Sequence, residues 1–309
     1  MIEVWLGGWP GNGASWTCGR SSATLGRAGQ GDVVVSPKDG VVVALPAATV
    51  VVLRDGTSGV EAYLQRRPPT MGFAGGLWVF PGGRVEEGDR DPGIDARWAG
   101  PPPSSWARRL DVGVADARGL VVAACREAFE EAGLLLADGP AERAAAAAAR
   151  RDLLAGERGF ADVLAGLGVR LDTARLRYWA WWVTPEGEPR RYDTRFFVAD
   201  LPDEMVVSAH GLAEVERERW LPPREAVADR SMLMLPPTHY TLRDLAGFGT
   251  AREALSAAGD RRVERIMPRL EGGVLVMPWG DRYPLPVPAA EIRPPAAACP
   301  PPPDPEAGA

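Results

Sequence analysis

Histidine, cysteine and lysine are nearly missing from this 309-residue chain: two His (His210, His239), three Cys (Cys18, Cys125, Cys299) and one Lys (Lys38) stand against 34 Arg. A Ser-His-Asp triad, a histidine-rich metal site or a lysine Schiff base would each have to be assembled from almost nothing. The cysteines are odd in number, widely spaced and form no CxxC, which excludes a disulfide framework or zinc ribbon and suits a reducing cytoplasm. No basic stretch followed by an apolar one opens the chain. The longest nearly apolar run, Val41–Leu53, is 13 residues long and contains Pro46, so neither a signal peptide nor a membrane span is expected. With a formal net charge of -6 and 25% charged residues, the chain lacks the basic footprint of a nucleic-acid binder. What it does have is 41 Asp and Glu, and acids, bases and metal ligands are to be sought among them.

An apolar fraction of 46% is enough for one sizeable core. Residues 1–40 are Gly-rich without periodicity and read as an irregular extension. Strands are expected at Ala47–Leu53, Val60–Arg66 and Leu77–Phe80, the last running into the turn Pro81-Gly82-Gly83. Residues 90–118, with the triplet Pro101 to Pro103, read as a long inserted loop. A helix follows over Leu120–Ala132, stopped by Gly133, and a second helical stretch covers 141–167. Aromatic-rich strands are expected at Leu176–Val183 and Tyr192–Ala199. Helices are then expected at Pro222–Asp229 and Thr238–Ala258, and a short strand at Val274–Met277. Residues 284–309 carry 10 Pro in 26 residues and read as a disordered tail.

The chemistry concentrates on the helix over 120–132. At about 100° per residue, Glu127, Glu130 and Glu131 share one narrow face, with Val122, Cys125, Phe129 and Ala132 opposite. Like charges at that spacing repel, and a divalent cation would turn the repulsion into coordination. Hard oxygen ligands at this density suit Mg²⁺ or Mn²⁺, which recruit substrate phosphates as further ligands. Arg66, Arg67, Arg190 and Arg191 are candidates for phosphate contacts, Arg66 and Arg191 foremost. Trp179, Trp181 and Trp182 read as core residues before they read as a platform for a base.

These residues resemble the Nudix hydrolase family, whose box is G-x5-E-x7-R-E-U-x-E-E-x-G-U. Gly83 and Asp89 match the first half; Arg126, Glu127, Glu130, Glu131, Gly133 and Leu134 match the second. Asp89 stands where the pattern has Glu, Ala128 fills the first U, and the spacer is 36 residues (90–125) in place of seven. A box interrupted in this way resembles the mitochondrial and peroxisomal coenzyme A diphosphatases. So do Leu64-Gln65-Arg66-Arg67, Trp78-Val79-Phe80-Pro81-Gly82-Gly83 and Arg190-Arg191-Tyr192-Asp193-Thr194-Arg195-Phe196-Phe197.

The resemblance implies an α/β fold, a Nudix-type α/β/α sandwich around a mixed sheet over residues 41–283, with a C-terminal helical appendage at 236–258. It implies Mg²⁺- or Mn²⁺-dependent hydrolysis of a small-molecule nucleoside diphosphate derivative, foremost coenzyme A or an acyl-coenzyme A. ADP-ribose or NADH is the alternative substrate, and a non-catalytic Nudix-fold sensor is the alternative class. Glu127, Glu130 and Glu131, with the Gly83 carbonyl, would hold the metal, while Arg126 orients a neighbouring carboxylate. Glu214, before Trp220, is the expected proton acceptor, with Glu216, Glu218 and His210 as rivals. The expected setting is cytoplasmic, without a membrane or nucleic-acid partner; the assembly expected, if any, is a homodimer.

Overall fold

The computed structural model describes residues 42–71, 74–200 and 217–285. Strands β1 (Leu45–Gly56) and β2 (Gly59–Arg66) form an antiparallel hairpin closed by the pair Gly56 and Gly59. Gly59 has φ 117°, a backbone conformation that side chains disfavour. After β3 (Trp78–Val79), which pairs with β2, the Pro81 turn lays β4 (Gly82–Arg84) against β1, with Gly83 opposite Ala48 and Gly82 opposite Thr49.

Residues 90–118, expected as an irregular loop, are folded. Two short 3-10 turns, Gly88–Arg90 and Pro92–Arg97, lead into β5 (Trp98–Ala99) and α1 (Pro103–Leu110). Ile94, Trp106 and Leu110 are buried in the main core, and the Trp106 ring meets Phe197 edge-on at 5.8 Å. Pro103, Trp106 and Leu110 lie on one face of α1, but the helix is only two turns long and is cut off from Ile94 by the proline triplet, so its period is too short to stand out in the sequence.

Helix α2 runs Val114–Ala132, six residues longer at its start than the pattern suggested. Where it comes against the turn after β4 there is no room for a side chain: a Cβ at Gly119 would stand 2.7 Å from Val85 Cγ1. Gly133 ends the helix in the left-handed region at φ 64°, and its N–H and that of Leu134 bond back to Phe129 and Ala128, each at 3.0 Å.

Beyond β6 (Ala137–Asp138), the stretch 141–167 is two helices, α3 (Arg143–Leu154) and α4 (Phe160–Leu167), parted where Gly156 takes φ 70°. Then come β7 (Arg170–Asp172), β8 (Leu176–Val183), β9 (Tyr192–Asp200) and β10 (Arg217–Leu221). α5 (Pro223–Ala228) follows. The appendage is also two helices, α6 (Pro236–Leu245) and α7 (Ala251–Asp260), the latter started by a Thr250–Glu253 capping box after Gly247 and Gly249. Strands β11 (Arg265–Ile266), β12 (Arg269–Glu271), β13 (Val274–Val276) and β14 (Arg282–Pro284) complete the described chain.

The main sheet runs β10-β2-β1-β9-β8-β11, with β3 and β4 attached to β2 and β1. It is mixed: β1–β9 and β8–β11 are parallel, the remaining pairs antiparallel. Alternation along β1 divides the core. Ala48, Val50 and Val52 face α1 to α4, whereas Val51 and Leu53 face α5 to α7. This is an α/β/α sandwich, and the inner face of α2 lies over β1 and β4. No helix among the described residues is long and apolar enough to cross a membrane.

Candidate active site

The carboxylates gather where the C-terminal half of α2 crosses the β4 turn. Gly83 sits against Glu127 so closely that a Cβ there would lie 2.6 Å from the Glu127 carboxyl carbon. Glu131 is nearly buried, and its Oε2 accepts from the Gly82 backbone N–H at 3.0 Å and from Gln65 Nε2 at 2.6 Å. Arg67 Nη1 stands 3.9 Å from Glu131 Oε1.

Arg126 is the centre of the arrangement. Only 4% exposed, it grips Asp89 with two parallel bonds, Nε to Oδ1 at 2.9 Å and Nη2 to Oδ2 at 3.0 Å. Its Nη1 donates to Glu127 Oε1 at 2.8 Å and to Glu130 Oε2 at 2.9 Å, and Nη2 also reaches the Arg84 carbonyl at 3.0 Å. Burial works against the guanidinium charge, but Asp89, Glu127 and Glu130 outweigh it and hold the group protonated. Asp89 in turn accepts the Glu86 N–H at 2.8 Å. The two halves of the interrupted box are therefore joined by a buried ion pair across the insertion.

One guanidinium does not neutralise this many acids. Burial, with Glu131 and Glu130 adding to it, drives the Glu127 carboxyl well above the usual carboxylate range despite Arg126. Glu130 moves in the same direction, chiefly by burial. At the end of the same helix the buried Arg150 donates to the carbonyls of Glu130, at 3.1 Å from Nε and 2.8 Å from Nη2, and of Glu131, at 3.2 Å from Nη2. A cation on the last turn satisfies carbonyls that the helix leaves open and fixes the backbone that carries both acids. Arg150 closes the Ala144–Ala149 run and has no sequence signal that sets it apart from the other arginines.

The remaining expected residues divide. Glu214, Glu216 and His210 lie outside the described residues. Glu218 is described: it pairs across the strands with Gln65 and accepts from Tyr63 Oη at 3.1 Å. Burial, reinforced by Glu218, raises the Tyr63 hydroxyl above its ordinary value, so it stays a donor. Arg66 does not face the acids. Strand alternation turns it to the opposite side of β2, where Nε bonds the Gly76 carbonyl at 3.0 Å, and Arg67 takes the position beside Glu131.

Arg191 is likewise not brought to the acids. It is buried just before β9, donating to the Thr184 carbonyl at 3.1 Å and the Val42 carbonyl at 2.8 Å. Trp179 and Trp182 are core residues, while Trp181 is half-buried beneath the Arg195 guanidinium, 3.7 Å from its ring centre. Among the described residues no three Asp, Glu, His or Cys side chains stand arranged around a metal position; Arg126 Nη1 lies between Glu127 and Glu130 instead.

A mixed-sheet sandwich with a Gly-Gly turn facing an R-E-x-x-E-E helix defines the Nudix class of hydrolases. A family model described as the NUDT19 Nudix domain matches residues 104–245. Acyl-coenzyme A diphosphatase NUDT19 of Homo sapiens is 32% identical over 73% of this chain and 72% of its own length. The Gallus gallus protein of the same name is 28% identical over 74% of each. Among solved structures, a NUDIX hydrolase from Alicyclobacillus acidocaldarius superposes with a TM-score of 0.56 at 30% identity, covering 69% of this chain and 96% of that one. The chain belongs to the Nudix hydrolase family and is an enzyme of that class.

Proposed function

We propose that the chain hydrolyses the diphosphate of coenzyme A or an acyl-coenzyme A, giving 3′,5′-adenosine diphosphate and a phosphopantetheine or acyl-phosphopantetheine product. The observation that carries the reading is the buried Asp89–Arg126 pair. It closes the 36-residue interruption so that both halves of the box meet at one site, and the relatives named acyl-coenzyme A diphosphatase are similar over about three quarters of the chain.

The donor set fits a hard divalent cation, Mg²⁺ or Mn²⁺: carboxylate oxygens on one helix face, with more buried negative charge than Arg126 offsets. Glu127, Glu130 and Glu131, with the Gly83 backbone, would hold it. When bound, it would neutralise diphosphate oxygens and lower the pKa of water. The protein's own groups do the rest. Arg126 keeps Glu127 and Glu130 in register, Gly83 leaves room for the Glu127 carboxylate, and Arg67 offers a guanidinium on the side of Glu131. Water attacks one phosphorus, the bridging bond breaks, and the other phosphate leaves with the electron pair. Glu214 or Glu218 accepts the water proton. The free thiol of the buried Cys125 suits a cytoplasmic setting.

Coenzyme A, acyl-coenzyme A, ADP-ribose and NADH are to be assayed side by side with Mg²⁺, using wild type and Glu130→Gln. The expected result is coenzyme A turnover that falls at least ~100-fold in the variant. ADP-ribose turnover with coenzyme A inert would overturn the substrate, and no product from any of them would favour a sensor.

A further inference from the structure

A glutamine with no exposed surface stands inside this site. Gln65 lies on β2, between Glu218 on one side and Val79 on the other, in a position where an apolar side chain would fill the same space. Its Nε2 donates to Glu131 Oε2 at 2.6 Å. A carboxylate only accepts, so this contact fixes which way the amide is turned, with the nitrogen on Glu131 and the carbonyl oxygen on the other limb of the same plane. That oxygen, Gln65 Oε1, is buried without a hydrogen-bond partner. Leaving it so costs about 1–3 kcal/mol, a cost that leucine or methionine would not incur. Arg67 Nε, one strand period further along the same face, is also buried and without a partner. An acceptor and a donor are thus held in reserve on either side of the segment that touches Glu131.

We propose that Gln65 is a positioning residue for the hydrolysis proposed above, on which this inference rests. Its amide nitrogen fixes the Glu131 carboxylate in one orientation, so that Glu131 would meet a divalent cation without first having to turn, and the unsatisfied amide oxygen is the cost of keeping that donor on the strand.

The test is Gln65→Met in the full chain, which keeps the length of the side chain and removes both polar atoms. Mn²⁺ affinity is measured without substrate by electron paramagnetic resonance titration. kcat and KM are then measured at saturating Mn²⁺. A lost carboxylate-orienting partner predicts Mn²⁺ binding about 10-fold weaker and kcat about 10- to 100-fold lower. KM should stay within about threefold and the melting temperature should change little, since the buried unsatisfied oxygen goes together with the donor to Glu131. Wild-type Mn²⁺ affinity or wild-type kcat in the folded variant overturns the proposal. Gln65→Asn, one methylene short but still an amide, serves if the methionine variant does not fold. If the wild type hydrolyses a diphosphate other than coenzyme A, the comparison is made on that substrate. If it hydrolyses none, the functional reading fails while the Mn²⁺ titration still decides the Gln65–Glu131 contact.

Discussion

Gly82 and Gly83 are adjacent glycines in the same turn, yet alanine at each should fail in a different way. At Gly83 the new Cβ would meet the Glu127 carboxyl carbon at 2.6 Å, the far end of a flexible side chain. At Gly82 it would meet the Ala48 carbonyl oxygen at 2.6 Å and Thr49 Cα at 2.8 Å, both backbone atoms of a central strand. Neither glycine has a positive φ, so backbone conformation does not decide the matter; what yields to the methyl group does. Gly83→Ala should cost at most about 1 kcal/mol, because Glu127 can turn away, whereas Gly82→Ala should cost about 1–3 kcal/mol or more by pushing strands apart. For a chain of this size that is a fall in melting temperature of up to about 4 °C for the first and about 2–12 °C for the second. Activity should run the other way relative to stability. Displacing a catalytic carboxylate by an ångström or more predicts at least ~100-fold lower kcat/KM in Gly83→Ala. Differential scanning fluorimetry and steady-state hydrolysis with Mg²⁺ on both variants are sufficient. A Gly83→Ala protein with wild-type turnover, or one that melts as early as Gly82→Ala, would refute the reasoning.

Two further outcomes follow from the placement of single residues. Trp106→Ala should destabilise the protein by about 3–5 kcal/mol in urea denaturation; a loss below about 1 kcal/mol would mean that the insertion is a detachable loop. Glu214→Gln and Glu218→Gln, assayed together, identify the proton acceptor: the residue that serves should lose at least ~100-fold in turnover with folding intact. Wild-type turnover in Glu214→Gln removes that residue from the mechanism, and the same result in Glu218→Gln reduces the Tyr63 contact to a structural one.

Strand β8 coincides with its expectation because Leu176–Val183 is aromatic and apolar apart from Arg177, and Gly133 marks the end of α2 because only a left-handed cap fits there. The three glutamates on one face of α2 needed nothing beyond the helical repeat. What stayed hidden depends on partners distant in sequence. Gln65 reads as one more residue of a strand until Glu131, 66 positions away, is placed against it. The choice between Arg66 and Arg67 turns on which face of β2 looks at α2; the two-residue period separates them, but only the packed structure says which side holds the acids. The helices expected as single stretches at 141–167 and 238–258 each break at glycines, Gly156 in the first and Gly247 and Gly249 in the second.

The Asp89–Arg126 pair also bears on how this fold can vary. It sits at the base of a closed loop, and each doubling of a flexible loop adds only about 0.6 kcal/mol of closure entropy. A chain whose insertion were twice as long, or replaced by an unrelated module with its own anchors, would return to the same two side chains and leave the carboxylates where they are. The clamp therefore uncouples the length of the segment from the geometry of the chemistry. That leaves the exposed turns of 90–118, rather than its buried anchors Ile94, Trp106 and Leu110, as the place where the segment can change in length.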